Sequence, residues 1–349
     1  MNILVMKFGG TSLADPEKIQ RAAARVARAR RRGFAIAVVV SAPGQMTDEL
    51  LSLVRRVSRR TPAREQDALM AAGEQISIAL LAAALSGRGV AAVSLTGAQA
   101  GISVRGPHGA ADIADVRPKR VRSELLLGRV AVVAGFQGVD KKGDLATLGR
   151  GGSDLTAAAL AAALKADACE IYTDVKGVYT ADPRLVPQAR KLKAVGFLEM
   201  LELAQAGAQV MQPRSIAYAR RRRISLHVRS AFHEAEGTWI GARGQEGGSG
   251  AASREASSAG PHKEMMLRPG VKALAVARLG PAARVSAVGR GLTRAHAEAM
   301  REILRARDIA CRRLEQSSSR VSCLMDPRQA VPALRALHRA WGLSRRRAA

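Results

Sequence analysis

The sequence predicts an α/β protein, a mainly parallel sheet sandwiched by helices, followed by a smaller α+β unit. Three observations predict it. Short uncharged apolar runs of strand length recur over the first 240 or so residues, and they end in glycine-rich or polar turns. Between them lie longer segments with apolar residues at helical spacing, or with runs of alanine. From residue 241 to about residue 262 the composition turns to Gly, Ser, Ala and charged residues, after which short elements resume.

In chain order, Ile3, Leu4, Val5 and Met6 form the first strand, and Lys7 to Ser12 turn the chain. Asp15 reads as an N-cap with Pro16 at the first helical position, and Ile19, Ala23, Val26 and Ala27 give that helix one buried stripe. Residues 35–40 are the next strand, closed by Ser41, Ala42, Pro43 and Gly44. Helices are predicted over 48–58 and 65–85, strands over 91–95 and 130–134, a small-residue helix over 154–164 and a strand over 168–173. Ligands in such folds bind beyond the carboxyl ends of the strands, which is where the glycine-rich loops fall. The predicted domains are 1–241, a linker over 242–264 and a C-terminal unit over 265–349. In that unit, 271–279, 284–288, 295–306, 309–315, 320–325 and 327–341 read as strand, strand, helix, strand, strand and helix.

Composition excludes several classes. The 349 residues are 47% hydrophobic, as in a folded globular chain. The uncharged apolar runs, such as 155–164, fall short of the roughly 20 residues of a membrane span, so no membrane partner is expected. The N-terminus runs straight into a strand, with no leader expected. Cys169, Cys311 and Cys323 are few and odd in number; they predict a reducing compartment, with neither a zinc site nor a disulfide framework. The net charge is +27, but 45 Arg against 11 Lys, dispersed among alanines, reads as compositional bias over solvated faces. Basic clusters stand at 30–32, 220–223 and 345–347, but aromatics are only 3%, so stacking platforms are scarce and no nucleic-acid partner is expected.

Three clusters can carry chemistry. In Lys7-Phe8-Gly9-Gly10-Thr11-Ser12, glycines let backbone N–H groups approach phosphate oxygens, the next helix offers its N-terminus, and Lys7 supplies a point charge. An ordinary glycine turn with an exposed lysine fits the spacing equally well, and no G-x-x-x-x-G-K-[ST] loop occurs. In residues 147–156, TLGRGGSDLT, Ser153 or Asp154 can serve as an N-cap, but capping does not explain three glycines framing Arg150. Residues 172–184, YTDVKGVYTADPR, put a polar loop after a strand, with a turn-rich hairpin as the alternative.

Together these clusters resemble the amino-acid kinase superfamily, and within it the aspartate kinases. The shared segments are KFGGTS at 7–12, SAPGQMTDELL at 41–51, MAAGEQIS at 70–77, AGFQGV at 134–139, TLGRGGSDLTA at 147–157, EIYTDVKGVYTADPR at 170–184 and GAQVMQPRSI at 207–216. The resemblance implies transfer of phosphate from ATP, with Mg²⁺, to the side-chain carboxylate of L-aspartate, at the start of lysine, threonine and methionine synthesis. It also implies a cytoplasmic enzyme and a homodimer whose other partners are its two small substrates. A carboxylate is already ionised at neutral pH, so no general base is needed; charge neutralisation is. The six His show no metal or triad spacing, and no metal held by protein ligands is expected.

By position, the resemblance puts Lys7 at the transferring phosphoryl group, with Gly9, Gly10, Thr11 and Ser12 around the phosphates. Ser41, Thr47, Glu74, Arg150, Gly152 and Ser153 match the aspartate pocket, with Arg150 gripping a carboxylate and Glu74 receiving the α-ammonium group. Asp154 organises either Lys7 or the metal and nucleotide side. Thr173, Asp174, Tyr179, Asp182, Arg184 and Gln209 match the nucleotide segment. Read singly, Glu74 also fits a solvated helix residue, Tyr179 a core aromatic and Arg184 a surface charge. Two positions depart from the family pattern: Gln209 stands where a lysine is frequent, and Lys176 where an acid is common, a change expected to tune activity. The C-terminal residues resemble a ligand-sensing ACT module. A companion module is largely missing, so a weak response to lysine or threonine is expected. A sister kinase with another carboxylate acceptor, or an impaired regulatory subunit, are the competing readings.

Overall fold

The computed structural model describes residues 1–241 and 270–344. The expected linker over 242–264 and the basic cluster at 345–347 lie outside the described residues. The chain forms two units: Met1–Lys176 with Arg214–Gly241, and Gly177–Pro213 with the C-terminal residues.

The first unit begins with β1 (Ile3–Phe8), buried along almost its whole length. In α1 (Pro16–Arg31), the Asp15 side chain accepts from Lys18 N at 2.8 Å and Pro16 fills the first turn. β2 (Ala35–Val40) is buried at every position, as a strand covered on both faces requires. Then come α2 (Met46–Val57), α3 (Ala63–Ser86), β3 (Ala92–Leu95), β4 (Ile102–Arg105), β5 (Asp112–Val116), α4 (Lys119–Leu126), β6 (Val130–Ala134), β7 (Gln137–Val139), β8 (Leu145–Thr147), α5 (Gly152–Leu164) and β9 (Ala168–Thr173). The second unit takes the next stretch, with β10 (Ala194–Val195) and α6 (Phe197–Gln205), before α7 (Pro213–Arg222), β11 (Leu226–Ser230) and β12 (Thr238–Ile240) return to the first.

The main sheet of this unit runs β12-β11-β9-β1-β2-β6-β3, parallel except for β12. The predicted parallel sheet is therefore present. A second sheet, β5-β4-β7-β8, was not predicted. Its strands are three to five residues long and mixed in burial, too short for a period to show. Phe8, Leu13, Ile36, Leu81 and Leu85 lie in the core on one face of the main sheet. α5 is buried nearly all round, and its alanines let it lie close on β1, β2 and β9.

α3 bears on the membrane expectation. It is long and apolar enough, by length and composition alone, to cross a membrane. Half of its most apolar window is buried, with Ile78, Leu81 and Leu85 in the core, and Asp67 and Glu74 are buried on the same helix.

In the second unit β13 (Val271–Leu279), β14 (Ala282–Gly289), β15 (Arg313–Gln316) and β16 (Arg320–Met325) form an antiparallel sheet in the order β13-β14-β16-β15. α8 (Arg294–Arg305) and α9 (Ala330–Ala340) pack on it. Its core joins Val285, Val321, Met300 and Leu334 to Ala181, Val186 and Ala189 from the 177–213 segment. The cysteine expectation is corrected here: Cys311 and Cys323 form a disulfide, their Cα atoms 5.8 Å apart. Cys311 lies just ahead of β15, where Arg312 N donates to Leu324 O at 2.8 Å and holds the chain beside β16, a proximity that a separation of twelve residues does not reveal.

Gly73 sets how closely α3 approaches the loop after β2, because a Cβ there would sit 2.6 Å from Ala42 Cβ. Gly73→Ala is expected to cost about 1–3 kcal/mol in urea unfolding, with no change in secondary structure by circular dichroism.

Candidate active site

β1 pairs with β2 on one side and β9 on the other, so the loops leaving these strands diverge around the carboxyl end of β1. Lys7 is the penultimate residue of that strand, in register with Val39 and Ile171. Its Nζ lies 2.6 Å from Asp154 Oδ1, with only 12% and 11% of the two side chains exposed. Asp154 stands in the first turn of α5, where the helix dipole also favours a carboxylate. Of the two roles left open for Asp154, organising Lys7 is the one this ion pair favours.

The loop after β1 is packed against the loop after β2. Gly44 N donates to Gly10 O at 3.0 Å, and a Cβ on Gly10 would approach Ala42 O to 2.7 Å. A Cβ on Gly9 would lie 3.5 Å from Lys7 Nζ, so the bare backbone leaves the ammonium group open on that side. Thr11 is exposed, whereas Ser12 Oγ is buried and has no hydrogen-bond partner.

Ser41 follows β2, and Thr47 lies in the first turn of α2. Glu74 reaches this loop from α3, its Oε1 accepting from Ala42 N at 2.9 Å, while Ser77 Oγ donates to Ser41 O at 2.8 Å. Glu74 is 2% exposed, which removes the solvated-helix reading, and its Oε2 is buried without a partner. Burial pushes its carboxyl up to about 7, against the opposing pull of the Ala42 N–H, its own backbone N–H and the Lys7 charge. A buried, half-satisfied carboxylate beside a loop is a receptor for a positively charged donor.

The loop from Thr147 into α5 needs its glycines. Gly149 and Gly151 have φ of 70° and 76°, and a Cβ on Gly152 would meet Leu148 Cβ at 2.8 Å and Phe136 Cδ2 at 2.9 Å. Ser153 Oγ would lie 2.7 Å from a Cβ on Gly135. Arg150 is exposed on the same loop, four residues before Asp154, and no ion pair engages it among the described residues.

Sequence reasoning missed the residues that hold this loop. Asp67, fully buried on α3, accepts from Thr147 Oγ1 at 2.6 Å, Thr147 N at 2.9 Å and Gly109 N at 2.9 Å. Arg214 donates to Leu148 O at 2.7 Å and Ala111 O at 3.0 Å, and pairs with Asp112. Phe136, at φ 67°, is a non-glycine residue in the left-handed region, with its N–H donating to Thr156 Oγ1 at 3.2 Å. Arg214 and Phe136 fall inside motifs already noted; Asp67 had no signal beyond being an acid in an apolar helix.

Thr173 ends β9 and Asp174 follows it, the Thr173 hydroxyl donating to Asp174 at 3.0 Å. Just before them, burial opposes ionisation of Glu170, yet the close approach of His227, the Tyr172 hydroxyl and the Arg229 charge hold its carboxyl at about 2. The remaining nucleotide candidates belong to the second unit. Tyr179 packs against that unit's core and bridges to Lys191, consistent with a core aromatic. Asp182 and Arg184 pair with each other at 2.7 Å, and Gln209 is exposed. Among the described residues, His108, Asp140 and Asp144 alone bring three metal-ligating atoms within 4.8 Å of one another; Asp144 is engaged by Arg64.

Residues 2–230 match the amino acid kinase family. Aspartokinase from Mycolicibacterium smegmatis is 53% identical over 241 residues, covering 69% of this chain and 57% of its own length. Aspartokinase from Thermus thermophilus is 50% identical over 240 residues, covering 69% and 59%. The chain thus spans under three-fifths of the length of these relatives. Aspartate kinase from Synechocystis superposes with a TM-score of 0.63 at 32% identity, over 97% of this chain and 69% of that one. E. coli aspartokinase III, in complex with aspartate and ADP, gives 0.78 at 22% identity, over 97% and 99%, a likeness of fold.

Glu74 gives a stability prediction. A carboxyl raised from 4.5 to about 7 favours the protonated folded state, so stability falls as pH rises across that window. Glu74→Gln, free of this loss, is expected to gain about 1–3 kcal/mol over wild type at pH 8 and little at pH 4.5, measured by denaturant unfolding without substrates.

Proposed function

The chain belongs to the amino acid kinase family, and we propose that it phosphorylates the side-chain carboxylate of L-aspartate with ATP, giving 4-phospho-L-aspartate and ADP. The observation that carries this reading is the Lys7–Asp154 pair at the carboxyl end of β1, with the orphaned Glu74 oxygen on the loop beside it. A carboxylate oxygen attacks the γ-phosphorus as the bond to the bridging oxygen breaks and ADP leaves. No proton moves, so the protein's task is to bring two anions together.

In this reading the Lys7 ammonium, oriented by Asp154, neutralises charge on the transferring phosphoryl oxygens. Gly9, Gly10, Thr11 and Ser12 present backbone and hydroxyl donors to the phosphates, Ser12 Oγ being one in search of a partner. Glu74 receives the α-ammonium group of aspartate, Arg150 grips a carboxylate, and Ser41, Thr47, Gly152 and Ser153 complete the pocket. Thr173, Asp174, Tyr179, Asp182, Arg184 and Gln209 form the nucleotide side. Mg²⁺, when bound with ATP, would neutralise charge on the β- and γ-phosphates. The proposed domains are a kinase domain over 1–241, a linker over 242–264 and an ACT-like region over 265–349 whose companion module is largely missing. A cytoplasmic homodimer is the proposed setting.

An ATP and hydroxylamine assay across aspartate, glutamate and N-acetylglutamate tests the reading. Hydroxamate is expected from aspartate alone. Product from another acceptor would favour a sister kinase, and no turnover by folded protein would favour a regulatory subunit. Lys7→Ala is expected to lower kcat by roughly 10²–10³, as loss of a transition-state charge contact does.

A further inference from the structure

Thr180 lies between Tyr179 and Asp182, inside the proposed nucleotide segment, and is fully buried. Every polar group it owns is used. Its N–H donates to Arg190 O at 2.8 Å, and its carbonyl accepts from Leu274 N at 2.8 Å. Its hydroxyl accepts from Arg190 N at 2.9 Å, donates to Leu343 O at 3.1 Å and lies 2.9 Å from His338 Nε2. These partners come from the segment before β10, from β13, from α9 and from the turn after α9, all in the second unit.

A hydroxyl has one proton. The Leu343 carbonyl can only accept, so the Thr180 proton goes there, and the contact with His338 needs a proton on Nε2. Burial and the Arg190 charge hold the His338 pKa below its ordinary value, which favours the neutral ring, and its hydrogen-bond partners choose the tautomer. Ser344 Oγ, 3.4 Å from Nδ1, is placed to donate to the other nitrogen. The same turn is closed by Leu185 N and Val186 N donating to Asp182 O at 3.0 and 2.8 Å, and by Arg184 N donating to Asp182 Oδ1 at 2.9 Å. The donor on α9 thus anchors the turn that presents Asp182 and Arg184.

We propose that His338 is a positioning residue for nucleotide binding: its Nε2–H holds Thr180, and through it the turn carrying Tyr179, Asp182 and Arg184. The C-terminal helix is then part of the nucleotide-site scaffold. The inference rests on the nucleotide role proposed above for that turn. Slack in the turn weakens ATP binding, whereas Ser41, Thr47, Glu74 and Arg150, all in the other unit, keep their geometry.

The full chain and the variants His338→Phe, His338→Gln, Thr180→Val and Thr180→Ser are compared by titration with a fluorescent ADP analogue and by steady-state kinetics. His338→Phe and Thr180→Val are expected to raise the analogue Kd and the KM for ATP roughly tenfold, leaving the KM for aspartate and kcat within about twofold. Gln, which places an N–H near the Nε2 position, and Ser, which keeps the hydroxyl, are expected to restore most of the affinity. Unchanged nucleotide affinity in His338→Phe, an equal rise in both KM values, or no rescue by Gln would overturn the proposal while leaving the kinase reading intact. Absence of analogue binding and of turnover by the wild-type chain overturns both. If His338→Phe does not fold, the Thr180→Val and Thr180→Ser pair decides by the same criteria.

Discussion

The structure depends on a charge placed at the end of a strand that is covered on both sides. β1 is buried because its neighbours β2 and β9 pair with it along its length, and Lys7 breaks that apolar run only at the penultimate position. An ammonium group there is costly unless a carboxylate meets it, and Asp154 does so from the first turn of α5. That pair ties the sheet to the helix and fixes where the loop of Arg150 enters. The alanines of α5 follow from the same constraint, since larger side chains would hold the helix too far from β1 for Asp154 to reach.

Around this pair the loops are held by other polar groups, of which Asp67 is fully buried. Asp67 takes two donors of Thr147 and one of Gly109, and Arg214 takes the carbonyls of Leu148 and Ala111. Arg150 can therefore stay exposed while its loop keeps one conformation. Rigid backbone beneath a free side chain is what a substrate clamp needs.

Much of this was legible in the sequence. The strands at 35–40 and 130–134 are uniform apolar runs whose length admits little else, and Asp15 followed by Pro16 marks a helix start by local chemistry alone. Lys7, Arg150 and Asp154 were legible because glycines frame them. The second sheet was not, since strands of three to five residues carry too few alternations. Asp67 was hidden for another reason: its partners stand 42 and 80 residues away, and only the fold supplies them. The Cys311–Cys323 bond was missed likewise, since only the folded chain sets Cys311, just ahead of β15, beside β16. The assignment of 177–213 to the C-terminal unit depends on tertiary contacts that no local pattern encodes.

Glu74 has a consequence for the energetics of the first encounter with the acceptor. With its carboxyl near 7, the ligand-free pocket at neutral pH holds a fraction of a proton. On the proposed reading, an incoming ammonium group selects the ionised form and expels that fraction into solution. Acceptor capture is then coupled to the buffer, and its apparent heat carries the buffer's ionisation enthalpy. Acidification of the medium works against loading of the pocket well before aspartate itself changes charge.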